Sequence, residues 1–203
     1  MNPAQTLDLS DGDAIFYPAF FAGGDVDRLF QEFRDTIAWQ QDSIQLYGRD
    51  IPLPRLTAWY GDEGTIYHYS GIENVPEPWT PALLEVRRAI EPLAGVTFNS
   101  VLLNRYRTGQ DSVAWHSDDE PEFGENPVIG SVSLGGTRTF QFRHKKQKNR
   151  KRQIELTHGS LLIMRGATQH NWVHQIPKTA KEVHERLNLT FRVILGVHGR
   201  SNT

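Results

Sequence analysis

Residues 186–192, Arg-Leu-Asn-Leu-Thr-Phe-Arg, alternate polar and apolar side chains at the two-residue period of a β-strand. One face of this strand would be apolar and typical of a core; the other would carry Arg186, Asn188, Thr190 and Arg192. The two arginines would stand about 20 Å apart along the strand, and each guanidinium pairs well with a carboxylate. The pattern predicts either a short dicarboxylate lying between them or an outward face of salt bridges.

Two short motifs that precede this strand in the sequence supply candidate metal ligands. Trp115-His116-Ser117-Asp118 places an imidazole and a carboxylate two residues apart, and Trp172-Val173-His174 adds a second imidazole. Two histidines and one carboxylate leave open positions on iron(II) for a chelating co-substrate and dioxygen. His-x-Asp alone is a weak signal, and the conjunction with the arginine strand makes it much stronger.

A third motif lies on another predicted strand. Asn104 and Tyr106, two residues apart, share one face of that strand. Both side chains can hydrogen-bond a carboxylate that an arginine also holds.

Together these motifs resemble the AlkB family of iron(II)- and 2-oxoglutarate-dependent dioxygenases, which oxidatively remove alkyl groups from nucleic-acid bases. The resemblance rests on Asn-x-Tyr, His-x-Asp, Trp-x-His and Arg-x-Asn-Leu-Thr-Phe-Arg, in that order, and runs from Pro52 to Leu195. It implies that iron is bound by His116, Asp118 and His174. It further implies that 2-oxoglutarate meets Asn104, Tyr106, Arg186, Asn188, Thr190 and Arg192.

The resemblance also implies a reaction. Decarboxylation of 2-oxoglutarate to succinate and carbon dioxide is coupled, through O2, to removal of an N-alkyl group as formaldehyde. The resemblance is nearest to the family members that repair duplex DNA. We therefore expect repair of N1-methyladenine and N3-methylcytosine in single- or double-stranded DNA. RNA is a further candidate substrate. Two alternatives stay open: a 2-oxoglutarate oxygenase acting on RNA, protein or a small molecule, and a catalytically silent jelly-roll binding module.

The fold class predicted from the chain is α+β, with a double-stranded β-helix (jelly-roll) core at 98–196. The region 1–97 would hold the N-terminal helices and a substrate-recognition lid. Apolar spacing predicts one helix between Val26 and Ile37, and Thr80-Pro81 and Gly95 mark the ends of a second. Alternating runs predict strands at 98–106, 128–134, 137–143, 152–157, 160–165, 168–175 and 186–195.

Length and composition suit a single dioxygenase domain, residues 1–203. With 203 residues, of which 38% are hydrophobic, the chain can bury one sizeable core. The absence of cysteine excludes disulfides and thiolate metal sites and fits a reducing compartment. No signal-peptide pattern and no membrane-spanning apolar run is present. We expect a monomer without a membrane partner, cytoplasmic, or nuclear in a eukaryote.

Positive charge is concentrated in residues 143–152. This run holds seven Lys and Arg and no acid, so with a net charge of −2 the rest of the chain carries −9. Alternating segments on both sides predict a hairpin whose tip grips phosphates through Arg143, Lys145, Lys146, Lys148 and Arg150. The alternative to phosphate binding is a solvated loop, and the resemblance favours DNA binding.

Aromatic residues between the two predicted helices lie where the resemblance places the lid. Tyr60, Tyr67 and Tyr69 are candidates for stacking on a base taken out of the helix, with His170 as a candidate from the other side. The ordinary role of aromatic residues in strands is core packing, and that alternative stays open.

Two further residues could recognise the lesion. Glu120 follows Asp118 by two residues and could accept a hydrogen bond from the exocyclic amino group of adenine or cytosine. Tyr47, which precedes Gly48, could fill the gap that a flipped base leaves in a duplex. The alternatives are an acidic turn for Glu120 and a packed turn residue for Tyr47.

Overall fold

Two mainly antiparallel sheets dominate the computed structural model, which describes residues 3–46, 48–65, 67–69 and 72–195. The strands are β1 (Gln5–Thr6), β2 (Asp13–Tyr17), β3 (Ser43–Leu46), β4 (Arg49–Pro52), β5 (Leu56–Gly61), β6 (Tyr67–Tyr69), β7 (Ile72–Asn74), β8 (Glu77–Pro78), β9 (Ser100–Tyr106), β10 (Val113–His116), β11 (Ile129–Gly135), β12 (Arg138–His144), β13 (Lys151–Leu156), β14 (Ser160–Arg165), β15 (Trp172–Ile176) and β16 (Arg186–Arg192). The helices are α1 (Gly24–Thr36), α2 (Pro81–Ala94) and α3 (Thr168–Asn171), with one 3₁₀ turn at Pro121–Phe123.

The major sheet has eight strands in the order β1-β2-β14-β11-β16-β9-β5-β8, and the minor sheet has four in the order β10-β15-β12-β13. Two separate hairpins, β3-β4 and β6-β7, complete the strands. This arrangement is the predicted jelly-roll core, so the expected fold class is confirmed. No helix within the described ranges has the length and apolar character needed to cross a membrane.

Each face of the major sheet has its own apolar core. Helices α1 and α2 pack on the outer face, where Leu29, Leu83 and Leu189 belong to one cluster of buried side chains. The inner face meets the minor sheet, where Ile129 and Phe142 belong to a second cluster. Strand β16 is buried on both faces from Arg186 to Phe191, so its alternation separates a core face from an enclosed polar face rather than from solvent.

Both predicted helices are present, and their caps follow from local chemistry. The Thr80 side chain accepts a hydrogen bond from the backbone N–H of Leu83, and Pro81 takes the first helical position, where its missing N–H is harmless. Helix α2 ends at Gly95, whose φ of 74° lies in the left-handed region that glycine favours.

Two of the differences from the predicted boundaries have a clear structural basis. Residues 168–171 form α3 rather than the start of a strand, because the Thr168 hydroxyl donates to the Arg165 carbonyl and turns the chain before Trp172. The jelly roll also does not begin at residue 98: β2 and β5, from the expected N-terminal region, pair with β14 and β9 inside the major sheet.

Candidate active site

The three predicted metal ligands meet at the edge of the minor sheet. His116 ends β10 and is the direct cross-strand partner of His174 in β15, while Asp118 lies in the loop that follows β10. Their ligand atoms all lie within 4.8 Å of one another. Two residues distant in sequence are therefore brought together by strand register, and the cluster suits a 2-His-1-carboxylate iron site.

Both imidazoles are placed to act as metal ligands. The Nδ1 of His116 donates to the Ala114 carbonyl oxygen at 2.8 Å, which leaves Nε2 for a metal. His174 is buried, and its ring stacks on Phe140 with 5.1 Å between centroids. Burial and, after it, the charge of His116 lower the pKa of His174 to about 3, so this ring is uncharged near neutral pH.

The carboxylate of the cluster is held by the last arginine of β16. Arg192 Nη2 donates to Asp118 Oδ1 at 2.8 Å, and both side chains are largely buried. Burial alone would raise the pKa of Asp118, but the positive charge of Arg192, together with its hydrogen bond and the neighbouring imidazoles, outweighs burial, so the pKa of Asp118 lies below its usual value. Asp118 is thus kept ionised, with its other oxygen left for a metal.

The first arginine of β16 has a different environment. Arg186 is 1% exposed, donates from Nη2 to the Ser133 hydroxyl at 2.9 Å, and lies with its guanidinium carbon 5.0 Å from the centre of the Tyr106 ring. Its Nε and Nη1 are buried without a hydrogen bond, and no carboxylate pairs with it in the part of the chain that the structure describes. Burial lowers the pKa of Arg186 to about 10, so it is still charged near neutral pH.

Polar residues of neighbouring strands line the space between the two arginines. Tyr106 and Asn104 of β9 stand opposite Arg186 and Asn188 in register. Asn188 donates to the Ser131 hydroxyl at 2.8 Å and to the Val132 carbonyl, and accepts from the hydroxyl of Thr190. Asn188 and Thr190 therefore already bond within the protein and form part of the wall of the site.

Two arginines beside the site were not predicted from the sequence. Arg55 donates from Nε to Asn104 Oδ1 at 2.7 Å. Arg138 is buried near Tyr106, with 5.8 Å from its guanidinium carbon to the ring centre, and donates to the carbonyls of Asp111 and Pro177. Neither arginine lies in a recognisable motif. For Arg138, the alternation of β12 places it on the buried face of that strand, and this was the sequence feature that could have indicated it.

The predicted lesion-binding residues have different outcomes. Tyr60 does not reach the site: it is 5% exposed in the helix-side core, because its phase on β5 points it away from the inner face, and its hydroxyl accepts from the Ala38 N–H. Tyr47 and the side chains of Tyr67 and Tyr69 lie outside the described residues. Glu120 is half-buried just before the 3₁₀ turn.

His170, the other stacking candidate, lies in α3 rather than on β15. Its exposed ring donates from Nε2 to the Glu125 carbonyl oxygen. This contact ties α3 to the loop after the 3₁₀ turn, and it gives no support to a stacking role.

The basic run forms the predicted hairpin, with β12 and β13 paired and the tip at 145–150. Its cations are not equivalent. Lys145 forms an ion pair with Asp119 at 2.6 Å, and the Arg143 guanidinium lies 4.3 Å from the centre of the Trp115 ring. The tip residues Lys146, Lys148 and Arg150 are exposed.

Comparison with known proteins places this geometry in context. The model of the 2OG-Fe(II) oxygenase superfamily matches residues 13–192. A solved structure of OsALKBH1 superposes with a TM-score of 0.64, covering 94% of this chain and 100% of that chain at 18% identity, which shows a shared fold.

Curated relatives are closer in sequence. The alpha-ketoglutarate-dependent dioxygenase alkB homolog 3 of Rattus norvegicus is 42% identical over 88% of this chain, and the same-named protein of Homo sapiens is also 42% identical. This chain spans 63% and 65% of their respective lengths. The DNA oxidative demethylase ALKBH2 of Homo sapiens is 38% identical over 95% of this chain and 75% of its own length. These matches confirm the family resemblance seen in the sequence.

Proposed function

The chain belongs to the 2OG-Fe(II) oxygenase superfamily, and we propose that it oxidatively removes alkyl groups from DNA bases, with N1-methyladenine and N3-methylcytosine as substrates. The proposal is carried by one arrangement. The ligand cluster of His116, Asp118 and His174 lies at one end of β16, beside Arg192, and the unpaired guanidinium of Arg186 lies at the other.

This arrangement fits the metal and co-substrate of the superfamily. Two imidazoles and a carboxylate suit iron(II), and buried Nε and Nη1 groups without partners suit a carboxylate. When bound, iron(II), 2-oxoglutarate and dioxygen would supply the oxidation, in which succinate and carbon dioxide form and the alkyl carbon leaves as formaldehyde.

The protein's own part is to hold these groups in place. Arg192 holds one oxygen of Asp118, which would leave the other oxygen to bind the metal. Arg186, with Tyr106 and Asn104 beside it, would receive the distal carboxylate of 2-oxoglutarate. Asn188 supports that wall through Ser131 and Val132.

Selection of the base would come from the rim of the site. Glu120, two residues beyond Asp118, would accept a hydrogen bond from the exocyclic amino group that adenine and cytosine share. Tyr67 and Tyr69 would provide a flat surface for the extruded base, and Tyr47 would fill the gap left in a duplex.

DNA is favoured as the partner by charge and by the relatives. The exposed Lys146, Lys148 and Arg150 at the hairpin tip can approach phosphates. The human relative ALKBH2 is named a DNA oxidative demethylase. A monomeric, single-domain enzyme in the cytoplasm or nucleus, and activity on RNA, stay predictions.

Lesion-dependent turnover tests the proposal. The purified protein with iron(II) and 2-oxoglutarate should release formaldehyde from an oligonucleotide containing N1-methyladenine or N3-methylcytosine, and His174→Ala should not. A methylated peptide is the matched substrate control. Succinate formation that responds to the peptide and not to the oligonucleotide would contradict the proposal, and no succinate with either would favour a silent binding module.

A further inference from the structure

Arg55 contacts the site without belonging to any of its motifs. It lies between the β3-β4 hairpin and β5, is half-buried, and donates from Nε to Asn104 Oδ1 at 2.7 Å. Its Nη1 also donates to the Ser112 carbonyl oxygen at 3.4 Å. The guanidinium therefore joins β9 to the segment that precedes β10.

The backbone around Arg55 is also held firmly. Gln41 Nε2 donates to the carbonyl oxygens of Leu53 at 2.7 Å and of Arg55 at 3.2 Å, and the backbone N–H of Ser112 donates to the Pro54 carbonyl at 2.9 Å. The guanidinium is thus presented to Asn104 from a fixed anchor at the base of the β3-β4 hairpin.

The chemistry of this contact fixes the orientation of the Asn104 amide. A guanidinium has donors and no acceptor, so the amide atom facing Arg55 must be Oδ1 and not Nδ2. Nδ2 then faces away from Arg55 and makes no hydrogen bond to any described residue. Since a carboxylate accepts hydrogen bonds only, Nδ2 is the atom through which Asn104 can bind one.

We propose that Arg55 is a positioning residue that holds the Asn104 amide with Nδ2 presented to the distal carboxylate of 2-oxoglutarate. This inference rests on the role given to Asn104 in the proposed function. Arg55 acts through Asn104 and does not touch the co-substrate, so its effect on affinity depends on the amide being present. It also gives the co-substrate pocket and the β3-β4 hairpin a common anchor.

A double-mutant cycle on co-substrate binding tests the inference without turnover. Calorimetry would measure 2-oxoglutarate binding to the Mn(II)-loaded protein for wild type, Arg55→Met, Asn104→Ala and the double variant. Each single substitution should raise the dissociation constant about tenfold, the loss of one hydrogen bond to a charged group. The double variant should bind no more weakly than Asn104→Ala alone, because the two residues act as a unit. Arg49→Met, which removes an exposed charge from the neighbouring β3-β4 hairpin, should bind like wild type.

Two outcomes would overturn the inference. Wild-type affinity in Arg55→Met would show that the amide needs no support, and losses that multiply in the double variant would show that Arg55 acts on the co-substrate by charge. Thermal unfolding checks that each variant is folded. If Arg55→Met does not fold, Arg55→Lys in the two Asn104 backgrounds gives the same comparison, and its loss of affinity should vanish in Asn104→Ala. Since no nucleic acid is present, failure here is separate from failure of DNA dealkylation.

Discussion

Arg186 and Arg192 begin and end the same strand and face the same enclosed space, yet only one of them has an anion. Arg192 pairs with Asp118 at 2.8 Å, with 12% and 6% of the two side chains exposed. Arg186, 1% exposed, has a hydroxyl and an aromatic ring for neighbours, and two of its nitrogens have no partner. One arginine holds the protein's own carboxylate, and the other is left to meet a carboxylate from outside.

An unpaired buried charge is costly, so its persistence needs a reason. Burial lowers the pKa of Arg186 to about 10, which still leaves the guanidinium charged at neutral pH. A ligand that brings a carboxylate would give this guanidinium the anionic acceptor that it lacks, since guanidinium and carboxylate match in geometry. The difference between the arginines thus separates a charge that the protein's own carboxylate neutralises from a charge that a ligand would neutralise.

The largest expected effect on activity comes from removing a metal ligand from the cluster in which Arg192 holds Asp118. His116→Ala, Asp118→Ala and His174→Ala should each abolish formaldehyde release, because two ligands hold the metal poorly and leave its open positions disordered. His170→Ala is the control, since that ring lies in α3 and contacts the Glu125 carbonyl. If His174→Ala stayed active while His170→Ala lost activity, the third ligand would be misassigned.

A second prediction compares the two arginines in the protein without metal or co-substrate. Arg192→Met leaves Asp118 buried without its cation and should lower the free energy of unfolding by about 3–5 kcal/mol. Arg186→Met removes a charge that has no carboxylate partner and should leave stability unchanged or slightly higher. Urea unfolding measures both, and equal destabilisation would mean that the two environments do not differ in the way described.

The strand that carries both arginines was readable from the sequence because its alternation is strict. Leu187, Leu189 and Phe191 do enter the helix-side core, as expected from a two-residue period. The period could not reveal that the polar face is enclosed, since that depends on the minor sheet lying opposite. The ligand cluster was likewise readable as motifs, whereas the adjacency of His116 and His174 follows from register.

What the sequence missed depends on tertiary contacts. Arg55 acts through one side-chain contact to β9, for which no local pattern exists. Tyr60 was a stacking candidate because aromatic residues suit both bases and cores, and only the pairing of β5 with β9 assigns its face. Strand β2 is short and isolated in the sequence, and it is recognisable only through its pairing with β14.

The contrast between paired and unpaired cations extends to the basic hairpin. Lys146→Ala with Lys148→Ala should weaken DNA binding for all sequences and reduce the log-log salt slope by roughly 0.9 per lost duplex phosphate contact. Lys145→Ala should change the slope less, because Lys145 is already paired with Asp119. Filter binding over a range of salt concentrations measures this, with turnover on a methylated nucleoside as the unaffected control. If every variant kept the wild-type salt slope, the basic run would be a solvated loop that does not contact DNA.

The smallest effect is expected at Tyr47. If its ring replaces the stacking of an extruded base, Tyr47→Ala should lose activity on double-stranded DNA more than on single-stranded DNA, because only the duplex has a gap to fill. Tyr47→Phe, which keeps the ring, should retain the duplex activity. Rates on the two substrates, measured side by side, decide the matter, and an equal loss on both excludes a wedge.

The affinity of the Mn(II)-loaded protein for 2-oxoglutarate, compared between wild type and Arg186→Met, tests the central claim most directly. Loss of the charged partner of a buried carboxylate should weaken binding by about 2–5 kcal/mol, which corresponds to roughly thirtyfold to several thousandfold in the dissociation constant. Retained Mn(II) binding shows that the ligand cluster is intact. An unchanged affinity for 2-oxoglutarate would contradict the assignment of Arg186 as the residue that receives its distal carboxylate.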